Sequence, residues 1–224
     1  MYSIENLSKV YQGRRDQIKA LDAVSLKIER GSFVAITGSS GCGKTTLLLT
    51  LGGLIRPSSG SVHFEDRNLY DLPKGELSMF RNRKIGFVLQ TFNLIPYLSA
   101  LENVVLPMVF NSDSNGNGNA HAAELLAQLG LADRQEHLPR ELSIGQQQRV
   151  AIARALANDP DVILADEPTG NLDPALSEEI LTVLKDLNER DGRTIIMVTH
   201  SPLAAEYGTM RLRLKDGRIE DRLN

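Results

Sequence analysis

A glycine-rich loop between a strand-like run and a helix-like run constrains this fold more than any other feature. Phe33-Val-Ala-Ile-Thr37 has the length and apolar character of a buried strand, and Thr45-Thr-Leu-Leu-Leu-Thr-Leu51 has the composition of a helix. The residues that join them, Gly38-Ser-Ser-Gly-Cys-Gly-Lys44-Thr45, match the pattern G-x-x-x-x-G-K-[ST]. Glycines let successive backbone N–H groups converge, and the helix N-terminus adds positive charge. The sequence therefore predicts a phosphate-binding loop.

The side chains of this loop predict a nucleoside triphosphate and a magnesium ion as ligands. Lys44 is expected to neutralise the β- and γ-phosphates, and Thr45 to offer a hydroxyl oxygen to Mg²⁺. Cys42 has no His or Asp nearby in sequence, so we interpret it as a spacer whose backbone matters. The residues expected to surround the nucleotide here are Gly38, Ser39, Ser40, Gly41, Cys42, Gly43, Lys44, Thr45 and Thr46.

Two acidic residues follow another apolar run. Val162-Ile-Leu-Ala precedes Asp166 and Glu167, so both acids lie at the carboxyl end of a buried strand, where ligands bind in open α/β sheets. Adjacent residues on a strand point to opposite faces, which predicts different tasks for the two acids. Asp166 is expected to coordinate Mg²⁺, and Glu167 to be the base that orients and polarises the attacking water.

The remaining pattern predicts an α/β core. Residues 24–28 alternate apolar and polar ahead of an Arg30-Gly31 turn, which indicates antiparallel β structure near the N-terminus. The apolar runs 162–165 and 194–199 are separated by a helical pattern over 175–190, as in parallel strands with crossover helices. Further predicted elements are a turn at Pro57–Gly60, helices over 120–130 and 144–157, and a closing hairpin at Lys215-Asp-Gly-Arg218.

Composition limits the class of protein. At 224 residues the chain is expected to form one compact domain. A net charge of −3 with no long basic stripe argues against a nucleic-acid partner, and Arg81-Asn-Arg-Lys84 is interpreted as the solvated approach to a strand. Asn111 to Asn119 is low in complexity and is expected to be a surface loop without function.

Cysteine usage and hydropathy bear on location. One cysteine allows no intramolecular disulfide, which is typical of a reducing cytoplasm. The N-terminal residues do not resemble a secretory signal, and no apolar run approaches the roughly 18 residues needed to span a bilayer. Any link to a membrane is therefore expected to pass through another protein.

A second short motif narrows the class further. Leu142-Ser-Ile-Gly-Gln146 resembles the L-S-G-G-Q signature of ABC ATPases, and it stands just before the strand that ends in the two acids. The resemblance covers essentially the whole chain. It implies that Tyr11 stacks on adenine, that Gln90 is the Q-loop glutamine which reaches Mg²⁺ and the attacking water, that Asp173 belongs to the D-loop, and that His200 is the switch histidine which contacts the γ-phosphate. Residues 51–54, 85–96 and 167–173 resemble the lipoprotein-release, macrolide-export and cell-division branch of that family.

The signature motif has a physical interpretation of its own. Ser143 and Gln146 have capping-box spacing, so Ser143 is expected to cap a helix whose exposed N–H groups form a second anion site. Family resemblance implies that two copies pair head to tail, so that Ser143, Gly145 and Gln146 of one copy cover the γ-phosphate held by the other. Ile144 stands where the family has glycine. This departure puts the rate of ATP hydrolysis in question, but not whether the chain hydrolyses ATP.

The resemblance also implies how the chain is divided. The expected fold is a P-loop NTPase (RecA-like) core with an N-terminal antiparallel β subdomain and an α-helical signature subdomain, all in the single domain 1–224. The expected bounds are about 32–58, 80–90 and 158–224 for the core, about 1–31 and 60–70 for the β subdomain, and about 91–157 for the helical subdomain.

These observations lead to an expected function. The chain is expected to hydrolyse ATP with Mg²⁺ and to drive separate transmembrane permease subunits, which contact it near Phe92–Pro107 at the cytoplasmic face of the inner (plasma) membrane. One alternative is an ATPase that signals mechanically to an extracytoplasmic hydrolase without transport. Another is a soluble ABC protein of DNA repair or translation, which the absence of a second cassette or a long coiled-coil insertion disfavours.

Overall fold

The computed structural model describes residues 1–13, 16–110 and 117–223, with Arg222 and Leu223 described by their backbone only. Most of the low-complexity segment predicted as a loop, residues 111–116, therefore lies outside the described residues. The strands are β1 (Tyr2–Gln12), β2 (Gln17–Ile28), β3 (Phe33–Thr37), β4 (Ser59–Phe64), β5 (Arg67–Asn68), β6 (Ile85–Leu89), β7 (Val162–Asp166), β8 (Thr194–Val198), β9 (Met210–Lys215) and β10 (Arg218–Leu223). The helices are α1 (Lys44–Leu51), α2 (Lys74–Lys84), α3 (Ala100–Val109), α4 (Gly118–Gln128), α5 (Ile144–Leu156), α6 (Pro174–Glu189) and α7 (Pro202–Ala205).

A six-stranded sheet in the order β10-β9-β3-β8-β7-β6 forms the core. Strands β9, β3, β8, β7 and β6 are parallel to their neighbours, and only β10 is antiparallel. Both faces of the central strands are covered, which is why their sequences are continuously apolar rather than alternating. Val34 and Ile36 pack on one side with α1, whereas Phe33 and Ala35 pack on the other side with the helices.

A second sheet covers the first of these faces. Its four strands lie in the order β2-β1-β4-β5 and are antiparallel, as the alternating pattern of residues 24–28 predicted. Buried side chains of β1, β2 and β4 share one hydrophobic cluster with α1 and the core strands. This β subdomain thereby fixes the strand-to-helix connection at its base.

The opposite face carries the helical subdomain. Helices α3, α4 and α5 pack together, and α5 also lies against β6 and α6. The approach of α5 to β6 is close, because a Cβ atom built on Gly86 would lie 2.4 Å from the carbonyl oxygen of Ala155. Within the described ranges, none of the helices is both long and apolar enough to cross a bilayer.

One local prediction is incomplete, because residues 81–84 do lead directly into a strand but also belong to a helix that the sequence pattern did not predict. Arg81 to Lys84 form the last turn of helix α2, and the following strand begins only at Ile85. Three basic residues in that turn lie at the negative end of the helix dipole, and Glu76 lies in the first turn, so the charge pattern suits a helix. The predicted turn at Pro57–Gly60 is likewise shorter than expected, since β4 begins at Ser59.

The close contact at Gly86 yields a stability prediction. Gly86→Ala is expected to lower the free energy of unfolding by about 1–3 kcal/mol, because the added methyl group meets backbone rather than a flexible side chain. Denaturant unfolding measures the change. Gly75→Ala is the matched control, since nothing lies within 4 Å of a Cβ at that position in α2; equal losses in the two variants would contradict the prediction.

Candidate functional site

The register of the parallel strands brings the predicted site residues to one edge of the sheet. Leu89 pairs with Asp166, Asp166 with Val198, and Val198 with Ile36. The segments that follow these strands therefore meet at the carboxyl edge, as expected for open α/β sheets. They carry Gln90 after β6, Glu167 after β7, His200 after β8 and the glycine-rich loop after β3.

The glycine-rich loop is supported from two sides by backbone. A Cβ on Gly43 would lie 2.1 Å from the carbonyl oxygen of Ala20, and one on Gly38 would lie 2.2 Å from that of Leu214. Gly43 also has φ +107°, in the left-handed region that favours glycine, and is the N-cap of α1. Strands β2 and β9 thus hold the loop tightly, and no other residue type fits at these two positions.

Lys44 and Thr45 use their side chains differently. The side chain of Lys44 is buried, and its Nζ donates to the carbonyl oxygens of Gly38 at 2.9 Å and Ser39 at 3.0 Å, so it folds over the loop. The Thr45 hydroxyl donates to Oδ1 of Asp166 at 3.1 Å. A hydroxyl and a carboxylate oxygen thereby lie together beside the loop, and hard oxygen donors of this kind suit Mg²⁺.

Burial raises the pKa of Asp166 above its ordinary value. The neighbouring charge of Glu167 adds to the increase, whereas the Thr45 hydrogen bond and the charge of Lys44 lower the pKa of Asp166. Desolvation is the largest of these effects, and it disfavours the charged carboxylate. Any cation that bound here would offset this cost.

Glu167 and His200 form a hydrogen-bonded pair. Oε2 of Glu167 lies 2.8 Å from Nδ1 of His200. Glu167 has φ +46°, and its N–H donates to the carbonyl oxygen of Val198 at 2.9 Å. Strand β7 ends at Asp166, so the alternation of side chains along a strand does not apply to Glu167. The two acids have different surroundings because the backbone enters the left-handed region at Glu167. A strained backbone of this kind is common at functional sites.

Gln90 lies next to this pair. Nε2 of Gln90 and Oε2 of Glu167 lie 2.9 and 3.4 Å from the position that a Cβ on Gly170 would take, so the two side chains converge on one point. Asn171 also donates from Nδ2 to the carbonyl oxygen of Gln90 at 3.0 Å. The segments after β6 and β7 are therefore joined directly at the sheet edge.

A cavity of about 590 Å³ opens beside the Glu167–His200 pair. Thr199, Ser177 and Glu178 supply polar groups to its wall, and Leu172 and Leu181 supply apolar ones. It extends from the Glu167–His200 pair towards α6 and α7.

The signature residues form the predicted helix start. The Ser143 hydroxyl accepts from the N–H of Gln146 at 3.2 Å, and Oε1 of Gln146 accepts from the N–H of Ser143 at 2.9 Å. Gly145 is buried, and a Cβ there would lie 2.9 Å from Cδ2 of Leu176, so this glycine permits contact with α6. Ile144 remains 52% exposed.

Tyr11 and Asp173 lie outside the group of hydrogen-bonded residues at the carboxyl edge of the sheet. Tyr11 is 38% exposed near the end of β1, with Nζ of Lys9 5.1 Å from its ring centroid. Asp173 accepts from the N–H of Leu176 at 3.0 Å and so caps α6. In the described part of the chain, no hydrogen bond joins Tyr11, Ser143 or Asp173 to the glycine-rich loop.

Two residues of α5 that belong to no recognised sequence motif contact the loops at this edge of the sheet. Nε2 of Gln148 donates to the carbonyl oxygen of Pro168 at 2.8 Å. Arg154 donates from Nη1 to the carbonyl oxygen of Asn93 and from Nη2 to that of Phe92. A polar residue on the apolar face of a predicted helix is the signal that would have identified Gln148.

Comparison with known proteins agrees with this geometry. The family model described as ABC transporter matches residues 21–170. This chain belongs to the ABC transporter family. The match contains the glycine-rich loop, the signature residues and both acids, and it ends at Gly170.

Individual members of the family are similar over nearly the full chain. A lipoprotein-releasing system ATP-binding protein of Myxococcus xanthus is 45% identical over 221 residues, which are 99% of each protein. A macrolide export ATP-binding/permease protein of Syntrophobacter fumaroxidans is 47% identical over 222 residues, and there the chain spans 31% of the relative's length. A solved ATP-binding cassette, a dimer in a post-hydrolysis state bound to ADP and Pi, is 45% identical, with a TM-score of 0.93 and coverage of 100% and 98%.

The raised pKa of Asp166 gives a prediction about this ABC chain. The folded chain binds the Asp166 proton more tightly than the unfolded chain, so the contribution of this group to stability falls as the pH rises from the ordinary Asp pKa through the raised one. Asp166→Asn should therefore increase the free energy of unfolding at pH 7 in metal-free buffer. The gain should shrink as the pH falls towards about 4.

Urea titrations of both proteins at several pH values measure this difference. Asp161→Asn is the control, because ion pairs with Lys84 and Arg30 hold the pKa of Asp161 below its ordinary value although burial opposes them. That variant should be destabilised at pH 7. A loss of stability in Asp166→Asn at pH 7 would contradict the argument from burial.

Proposed function

We propose that this chain binds and hydrolyses ATP as one half of a head-to-tail homodimer and drives separate transmembrane permease subunits. The observation that carries the proposal is the carboxyl edge of the sheet, where the glycine-rich loop, the Thr45–Asp166 oxygen pair and the Glu167–His200 pair lie together. A phosphate cradle, a metal-binding oxygen set and a held general base are what phosphoryl transfer to water requires. The relative bound to ADP and Pi supports the same reaction.

The loop residues would hold the triphosphate. Backbone N–H groups of the loop and of the N-terminus of α1 would bind the phosphates, and Lys44 would exchange its bonds to loop carbonyls for bonds to the β- and γ-phosphates. Tyr11 would stack on adenine, because it is exposed on the β1–β2 pair of strands. Ala20 in the same pair of strands lies against Gly43 of the glycine-rich loop. Cys42 is buried and its carbonyl oxygen accepts from Gly217, so its role is confined to the backbone.

Thr45, Asp166 and Gln90 would hold Mg²⁺, which neutralises developing phosphate charge when bound. Glu167 would orient the attacking water and accept its proton at the carboxylate. His200 would hold that carboxylate through Nδ1 and would contact the γ-phosphate through its other ring nitrogen, Nε2. Gln90 converges on the same point and would help to position the water.

The second copy would complete the site. Ser143, Gly145 and Gln146 shape the N-terminus of α5, and Asp173 caps α6 at the same surface; in the proposed dimer they face the nucleotide held by the partner subunit. The dimeric form of the solved relative supports this arrangement. Two nucleotides buried between two copies then make the interface depend on the γ-phosphate.

The hydrolytic role of Glu167 gives the first functional test. Glu167→Gln should lower kcat by at least about 100-fold, the usual cost of losing a general base, while ATP binding is retained. With ATP and Mg²⁺ the variant should elute as a stable dimer in size-exclusion chromatography, because the nucleotides remain trapped. Phosphate release measures turnover.

Glu178→Gln is the matched control, since Glu178 lines the same cavity, and in the described part of the chain His200 is hydrogen-bonded to Glu167 and not to Glu178. Its kcat should stay within about threefold of that of the unmodified chain. Turnover by Glu167→Gln at the unmodified rate, or elution as a monomer with ATP, contradicts the proposal.

A groove of about 480 Å³ would receive the membrane partner. It lies between α2, β6, α3 and α5, and Asn93 and Pro107 bring the predicted stretch Phe92–Pro107 to its wall. Leu54 and Leu89 make it apolar, and both charged residues that line it are arginines, Arg81 and Arg154. A short helix with apolar and acidic side chains suits such a groove. The partner would hold this chain at the cytoplasmic face of the inner (plasma) membrane.

Leu54 offers a test of the groove, because it is 51% exposed there. Leu54→Glu should abolish co-purification of the membrane protein that accompanies the tagged chain, since a carboxylate would be buried against apolar surface. Ile18→Glu is the control, because Ile18 is also exposed but lies on β2. Equal recovery of the membrane protein with both variants contradicts the groove assignment.

A further inference from the structure

A buried glutamine joins the signature helix to the turn that carries the general base. Gln148 has no exposed surface, and its Nε2 donates to the carbonyl oxygen of Pro168 at 2.8 Å. Pro168 directly follows Glu167. Helix α5 is therefore hydrogen-bonded to the residue next to the base through a side-chain amide.

Packing alone does not account for an amide at this position. Oε1 of Gln148 is buried and has no hydrogen-bond partner among the described residues. A buried acceptor without a partner costs about 1–3 kcal/mol, which an apolar side chain of similar size avoids. The bond to Pro168 is what distinguishes glutamine from methionine or leucine here.

Hydrogen bonds from the sheet, from within the turn and from helix α5 hold the turn at Glu167. Its φ of +46° is unfavourable for a residue with a side chain, so the turn depends on surrounding hydrogen bonds. Glu167 N–H is bonded to Val198 in the sheet, and Gly170 N–H is bonded to the carbonyl oxygen of Glu167 within the turn. Gln148 adds a bond from the helical subdomain, five residues after Ser143 on the same helix.

We propose that Gln148 is a positioning residue for hydrolysis: it sets the Glu167 turn and makes the position of that carboxylate depend on helix α5. The inference rests on the proposed function, in which Ser143 at the start of α5 meets the nucleotide of the partner subunit. A shift of α5 caused by that nucleotide is transmitted through Gln148 to the base of the chain's own site. Small displacements of a reacting group have large effects on rate.

Steady-state ATP hydrolysis by Gln148→Met tests the role. We expect kcat to fall about 10- to 100-fold, with KM for ATP within about threefold of its original value, because Glu167 is misplaced while the phosphate loop is untouched. Gln147→Met is the matched control on the same helix, since its amide donates to Leu142 rather than to the Glu167 turn. Its kcat should remain within about threefold.

Gln148→Glu adds a readout that a packing role does not affect. A buried carboxyl group has a raised pKa, and its neutral form donates an O–H to the Pro168 carbonyl as the amide does. The ratio of its kcat to that of the unmodified chain should therefore rise as the pH falls, whereas the ratio for Gln148→Met should stay flat. This ratio also decides the question if Gln148→Met does not fold.

Two results separate this inference from the proposed function. If Glu167→Gln forms no dimer with ATP, the proposed function fails first. If that dimer forms but Gln148→Met keeps kcat within twofold, or the kcat ratio of Gln148→Glu does not change with pH, the positioning role of Gln148 is overturned.

Discussion

The parallel register of β6, β7, β8 and β3 is the constraint on which the rest of the structure depends. Four polar segments far apart in sequence follow these strands, and parallel pairing places all four at one edge. Strands buried on both faces resist slippage, because a one-residue shift would move every side chain to the wrong hydrophobic cluster. The positions of the loop, the acids and the histidine are thus fixed by the apolar side chains between them.

Several features of the site lower the stability of the fold. Asp166 is desolvated enough to raise its pKa, Glu167 sits in the left-handed region, and Gln148 leaves an acceptor without a partner in the described chain. Each of these features opposes folding, and large apolar clusters on both sides of the sheet offset them. Unfavourable local features that lie together at one edge are typical of a site selected for chemistry rather than for stability.

The outcome for individual residues shows what a sequence alone can predict. Strand β3, the turn after it and the capping box at Ser143 depend on neighbours within a few residues, so their patterns were sufficient. The helical character of Arg81 to Lys84 was not predicted, because a basic run has the same composition at a helix end as in a loop before a strand. Contacts such as Gln148 with Pro168 or Gly145 with Leu176 depend on how helices pack, which local pattern does not encode.

The support of the glycine-rich loop has a consequence for biosynthesis. Gly38 rests against the carbonyl oxygen of Leu214, and the carbonyl oxygen of Cys42 accepts a hydrogen bond from Gly217, so residues far later in the sequence support the loop. During translation the loop leaves the ribosome long before strand β9 exists to pair with β3. The glycine-rich loop therefore lacks this backbone support until strand β9 and Gly217 have been synthesised, long after the loop itself.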